Sequence, residues 1–153
     1  MPFRILVVDD HDVVRQGVRL ILRRQSDWQI CGEAENGVEA LEMEKELQPD
    51  LVILDVSMPG KDGLEVANEL HKRHSSAKVL VLTMHDSKEL AVAVRSAGAR
   101  GYVVKSHAAR DLVKAIEAII AGGDSFPPGS LPVKPPKQER KGPLLCLDLD
   151  FAF

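Results

Sequence analysis

Residues 51–63 read LVILDVSMPGKDG and constrain the fold more than any other stretch. Four apolar residues run without a break into one carboxylate, Asp55. A short continuous apolar run bounded by turn residues is the pattern of a strand covered on both faces, as in a parallel sheet. Pro59, Gly60 and Gly63 then force a loop. Asp55 is therefore expected at the carboxyl end of a central strand, facing the crevice where open α/β sheets bind ligands.

The same pattern recurs along the chain. Residues 3–8 (FRILVV) form a β-branched and aromatic run closed by Asp9 and Asp10. Asp12 is placed to cap a helix with apolar Val13, Val14, Val18, Leu20, Ile21 and Leu22. Residues 28–33 read as a short second strand, and Asn36-Gly37 launches a helix over 38–47 that stops before Pro49. After the strand at 51–55, an amphipathic helix over 64–74 places Leu64, Ala67 and Leu70 on one face. The fourth strand, 78–83, is apolar until it ends on Thr83. Ser87 caps a small-residue helix over 90–97, which Gly98 ends. A fifth strand, 101–104, ends on Lys105, and a last helix over 108–121 has Leu112, Ile116, Ile119 and Ile120 as its apolar stripe. Five strands alternating with five helices, joined by short right-handed crossovers, predict an α/β fold: a doubly wound parallel sheet with helices on both faces.

All strands of such a sheet end on the same side. Asp9, Asp10, Asp55, Thr83 and Lys105 then meet in one crevice. Three carboxylates together repel one another, and a divalent cation relieves that repulsion. Mg²⁺ suits one or two carboxylates, several waters and phosphate oxygens. A carboxylate can also act as a nucleophile and form an aspartyl-phosphate. Phosphoryl transfer needs mainly positioning and charge neutralisation. On this reading Asp9 and Asp10 hold the metal, Asp55 attacks, and Lys105 and Thr83 take the phosphoryl oxygens.

Four motifs in this order carry a family resemblance: VVDDH with Asp9 and Asp10, LDVSMPGKDG with Asp55, VLVLTMHD with Thr83, and GYVVKS with Tyr102 and Lys105. Residues 3–123 resemble a response-regulator receiver domain of two-component signalling. LTMHD, AGARGYVVKS and DLVKAIEAIIAGG are similar to the subfamily whose members usually carry a LuxR-type helix-turn-helix. The resemblance implies a flavodoxin-like sheet of strand order 2-1-3-4-5. It implies Asp55 as phosphoacceptor, Asp9 and Asp10 as the Mg²⁺-binding pair, and a ligand from the Ser57 backbone carbonyl. Thr83 and Lys105 correspond to the phosphate-sensing hydroxyl and lysine. Tyr102 corresponds to the switch aromatic, whose ring turns inward as Thr83 moves, biasing the surface of helix four, strand five and helix five. The implied partners are a sensor histidine kinase and either an output protein or a second copy of the chain. The implied catalysis is limited to the domain's own phosphorylation and dephosphorylation, so the chain is not expected to be an enzyme in the usual sense.

Two positions depart from the commonest family pattern. Ser106 follows Lys105 where many receivers have proline, which leaves the bend of that loop open. Met84 follows Thr83 where many have a small residue, and its bulk is expected to narrow access to Asp55 and slow acyl-phosphate hydrolysis. His11 and His85 flank the site and read as solvated loop residues.

The domain is expected to span 1–123, with a linker and tail over 124–153 and no second domain. Residues 125–143 hold six prolines and the cations Lys134, Lys137, Arg140 and Lys141, the composition of an extended linker. Residues 144–153 (LLCLDLDFAF) are short and apolar; they could pair at a sheet edge, dock on the domain or have no role. The 30 residues after Gly123 leave no room for a helix-turn-helix. Two readings of the chain follow: a stand-alone receiver, or one truncated or degenerated from a DNA-binding regulator. A flavodoxin-like cofactor binder is the alternative of another class, but acids occupy its phosphate loop and aromatics are only 4%. The net charge of −3 gives no reason to expect nucleic acid or a membrane as partner. No apolar run approaches the ~18 residues of a membrane span. The early acids exclude a signal peptide, and Cys31 and Cys146 match no metal spacing, so a reducing, cytoplasmic setting is expected.

Overall fold

The structure is a computed structural model that describes residues 2–127. Five parallel strands lie in the order β2-β1-β3-β4-β5. They are β1 (Phe3–Val8), β2 (Trp28–Ala34), β3 (Leu51–Asp55), β4 (Lys78–Thr83) and β5 (Gly101–Val104). The helices between them are α1 (Asp12–Leu22), α2 (Gly37–Leu47), α3 (Gly63–Lys72), α4 (Lys88–Ser96) and α5 (Ala108–Ile120). A 3₁₀ turn, Lys105–His107, leads into α5. This is the doubly wound sheet expected from the alternation of elements, in the flavodoxin-like strand order that the family resemblance implies.

The period of two along each strand divides the interior into two cores. Leu6, Val8, Val52, Leu54, Val79 and Val81 face α2, α3 and α4. Ile5, Val7, Leu51, Ile53, Leu80 and Leu82 face α1 and α5. Every residue of β3 is buried, so the central strand has no solvent face. This is why its sequence is a continuous apolar run rather than an alternating one.

Capping fixes where several helices begin. Asn36 and Ser87 accept from the N–H groups of Glu39 and Leu90. Asp62 and Glu65 form a reciprocal capping box at the start of α3. Gly63, the first residue of α3, lies against the Asp55 backbone: a Cβ there would stand 2.2 Å from the Asp55 carbonyl oxygen.

The expected cap at Asp12 is corrected. The N-cap position falls on His11, which makes no side-chain cap bond, and Asp12 is the first helical residue. Its carboxylate instead accepts from Arg15 and Gln16. The apolar stripe of α5 is corrected at Ile120, which is 45% exposed, and the apolar residues of α1 divide between two environments. Val18 and Leu22 are buried, whereas Val13 and Leu20 are 78% and 58% exposed. Arg15 takes a buried place on the inner face because its guanidinium is satisfied there.

The peptide between Lys105 and Ser106 is trans, since no described peptide bond is cis. No described helix is long and apolar enough to cross a membrane. The proline-rich stretch from residue 128 and the apolar tail with Cys146 lie outside the described residues. Residues 124–127 do not leave the domain at 123 but continue against β5 through Ser125.

The burial pattern predicts unequal costs of truncation. Leu54→Ala removes a fully buried side chain and should cost about 2–5 kcal/mol. Val13→Ala, on the exposed face of α1, should change stability by about 0.5 kcal/mol or less. Urea denaturation of the two variants checks this, and equal midpoints would contradict the two-core arrangement.

Candidate functional site

The carboxyl ends of β1, β3, β4 and β5 bring Asp9, Asp10, Asp55, Thr83 and Lys105 to one side of the sheet. Asp9 and Asp55 are buried, and Asp10 is partly exposed. Lys105 reaches across from the end of β5: its Nζ lies 2.9 Å from Asp9 Oδ2 and 3.0 Å from Asp55 Oδ1. One ammonium therefore bridges the ends of β1 and β3.

The two oxygens of Asp55 differ. Oδ1 takes the Lys105 ion pair and accepts from the Ser57 N–H at 3.3 Å. Oδ2 is buried and has no hydrogen-bond partner among the described residues. A buried carboxylate oxygen left bare is costly unless another group meets it. Asp10 Oδ1 is also buried without a hydrogen bond, facing the His11 ring at 3.1 Å. Asp9, Asp10, His11 and Asp55 each place one ligand atom within 4.8 Å of the others. The three carboxylates of this cluster, two of them with a bare buried oxygen described above, are hard oxygen donors that fit a small divalent cation such as Mg²⁺.

Burial pushes the Asp55 carboxyl above its ordinary value; the Lys105 hydrogen bond opposes the rise and the Asp9 charge adds to it. Burial pulls on Lys105 in the opposite sense, but its hydrogen bonds to Asp9 and Asp55 outweigh that and hold it above the usual lysine value.

Thr83, Tyr102 and Met84 occupy different positions around this centre. Thr83 Oγ1 donates to the His85 carbonyl at 3.1 Å and accepts from the His85 N–H at 3.2 Å. The Tyr102 ring is only 1% exposed and its hydroxyl donates to Asp86. Phe126 covers it edge-on, with ring centres 6.0 Å apart. Met84 projects outward, 65% exposed. His85 is exposed, as expected of a loop histidine. His11 is also largely exposed, yet its Nδ1 lies 3.2 Å from Asp9 Oδ1 and 3.1 Å from Asp10 Oδ1.

The sequence matches the family described as the response regulator receiver domain over residues 5–117. The chain belongs to this family. It is 40% identical over 119 residues to the response regulator GacA of Pseudomonas viridiflava, covering 78% of this chain and 56% of that protein. It is 36% identical over 121 residues to the nitrate/nitrite response regulator protein NarL of Escherichia coli, covering 79% of this chain and 56% of that protein. The chain thus spans little more than half the length of these two relatives. Among solved structures, a LuxR-family two-component response regulator from an Aurantimonas species superposes with a TM-score of 0.79 at 38% identity, covering 84% of this chain and 91% of that one. The receiver domain of a NarL regulator from Mycobacterium tuberculosis gives 0.75 at 33% identity, covering 79% and 98%.

Two residues that position the receiver site were not read from the sequence. Arg15 donates to the Asp9 carbonyl from a buried position and is held by Asp12 and Glu33. It ties the turn carrying the acid pair to α1 and β2. Its signal was a cation on the inner face of an apolar helix, one turn from the strand-end acids. Phe126 is the second; nothing local distinguishes it, because its partner Tyr102 is 24 residues away in sequence.

The Asp55 shift predicts a stability effect with a definite sign. An acid whose folded value is raised costs stability once pH exceeds its ordinary value, and the cost is complete above the folded value. Asp55→Asn should therefore raise the metal-free Tm by a few degrees at pH 7, with a gain that shrinks towards pH 4. Mg²⁺ should raise the wild-type Tm by mass action and the Asp55→Asn Tm by less. Thermal scans across pH, with and without Mg²⁺, check both; a lower metal-free Tm for Asp55→Asn at pH 7 would contradict the electrostatic assignment.

Proposed function

We propose that this receiver accepts a phosphoryl group on Asp55 from the phosphohistidine of a sensor histidine kinase. The bare, buried Oδ2 of Asp55 carries the reading. Oδ1 is engaged by Lys105 and Ser57, so Oδ2 is the oxygen left to attack phosphorus. A P–O bond forms to Asp55 as the P–N bond of the phosphohistidine breaks, and the imidazole nitrogen keeps the electron pair. Asp9, Asp10, Asp55 and the Ser57 carbonyl would hold Mg²⁺, which when bound neutralises charge on the transferring group. Lys105 follows the new phosphoryl oxygens from its position at the Asp55 carboxylate, and the Thr83 hydroxyl is the nearby donor for another. Hydrolysis returns the group to water and restores the carboxylate.

The phosphoryl group adds about two negative charges and three acceptor oxygens to the crevice. The proposed response is a rearrangement of Thr83, Tyr102 and the surface of α4, β5 and α5, which controls an output partner or a second copy of the chain. Cytoplasmic location fits this role, with no direct contact to nucleic acid or membrane by the receiver itself. Turnover of a separate substrate is not part of the reading.

A second reading follows from the span of the match. GacA and NarL extend well beyond the matched region. The chain then represents the receiver part of a LuxR-type transcriptional regulator, and the same phosphorylation chemistry governs DNA binding elsewhere in that regulator.

Intact-mass measurement after incubation with acetyl phosphate tests the chemistry. Wild type should gain one phosphoryl group only with Mg²⁺, and Asp55→Asn should gain none. Lys105→Ala should cut the phosphorylation rate by about a hundredfold or more, the scale for removing a charge-stabilising donor. A phosphoryl group retained on Asp55→Asn would overturn the assignment.

A further inference from the structure

The chain stays on the domain after α5. Residues 124–127 run back along the outer edge of β5. The Ser125 N–H donates to the Arg100 carbonyl at 2.8 Å, and the Ser125 carbonyl accepts from the Tyr102 N–H at 3.0 Å. Asp124 lies 3.6 Å from Arg95 on α4 and 3.7 Å from Arg100. Phe126 packs on the Tyr102 ring, and the Arg95 guanidinium stands 5.6 Å from the Phe126 ring centre. Gly101 permits the approach: a Cβ there would come within 1.8 Å of the Ser125 carbonyl oxygen. β5 is an outer strand of the sheet, so without this segment its edge would present unpaired backbone groups.

Tyr102 connects the segment to the phosphorylation site. One side of its ring supports Phe126, and its hydroxyl holds Asp86 in the loop between β4 and α4. Thr83 secures the same loop through its two bonds to His85. A hydroxyl has one hydrogen to donate. A phosphoryl group on Asp55 presents only acceptors, so a Thr83 hydroxyl that turns to it gives up its bond to the His85 carbonyl. The loop loses that tie, and the Asp86 contact that orients Tyr102 loses its support.

We propose that residues 124–127 are a strap, held on β5 in the unphosphorylated receiver and released when Asp55 is phosphorylated. The state of the site then passes directly to whatever follows Pro127, and release uncovers the edge of β5. The inference rests on the phosphoacceptor reading of Asp55. The strap suits a switch because it sits at the sheet edge and its backbone hydrogen bond and its ring contact both run to Tyr102, the residue that joins it to the β4–α4 loop.

Hydrogen exchange on the full chain tests the strap, with Mg²⁺ and beryllium fluoride as the phosphoryl mimic. The Ser125 and Tyr102 amides should exchange about tenfold faster or more in the loaded protein, while the Ile116 amide in α5 stays protected. Coupling is reciprocal, so loosening the strap should favour the loaded state. Phe126→Ala should therefore bind beryllium fluoride about fivefold tighter by titration calorimetry, and Asp124→Asn should move the same way by less. Retained Ile116 protection in each variant shows that the fold is intact. Unchanged Ser125 and Tyr102 protection on loading, or unchanged affinity in both variants, overturns the strap. Failure of the underlying reading shows elsewhere, as wild type that gains no phosphoryl mass from acetyl phosphate with Mg²⁺.

Discussion

The Lys105 ammonium between Asp9 and Asp55 is the contact on which the site depends. It joins the ends of β1, β3 and β5 and offsets two buried negative charges with one positive charge. The compensation is incomplete. Asp55 keeps one bare oxygen, and its carboxyl stays above the ordinary range through burial. A buried charge cluster with a deficit of cations is the setting on which the proposed metal-assisted phosphoryl transfer rests. The fold supports this by burying all of β3, so that its last residue meets the crevice from a rigid strand rather than a loop.

The surroundings hold that centre in place. Arg15 fixes the Asp9 turn from behind, and Glu33 and Asp12 satisfy its guanidinium. The close packing of Gly63 against Asp55 sets where α3 starts and leaves the Ser57 N–H aimed at Oδ1. On the far side, Thr83 is bonded to its own loop rather than to Asp55, and Tyr102 is covered by Phe126. The acids and lysine thus lie on one side of the site, and the hydroxyl and the ring on the other.

Much of this was legible in the chain itself. The apolar runs located β1, β3, β4 and β5, because a strand covered on both faces leaves little room for polar residues until it ends; β2, an outer strand of mixed polarity, lacks that signal. The residues at which polarity resumed, Asp9, Asp55, Thr83 and Lys105, were therefore the residues of the crevice. Helix starts were legible where a side chain does the capping, as at Asn36 and Ser87, and were misplaced at Asp12, where Arg15 and Gln16 of the same helix claim the carboxylate. Which residues of α1 are buried was not legible, because a guanidinium with partners just after β1 and on β2 can be buried while Val13 and Leu20 face water.

The sequence by itself determined the alternation of strands and helices, the side of the sheet on which the polar groups gather and the identity of those groups. Each follows from local periodicity and from the common direction of parallel strands. Only the tertiary structure decided which oxygen of Asp55 is bare, that Arg15 anchors the acid pair, and that residues 124–127 close over Tyr102. These outcomes depend on distances between side chains from different elements. No local pattern encodes such distances, because packing sets them only after the sheet has formed.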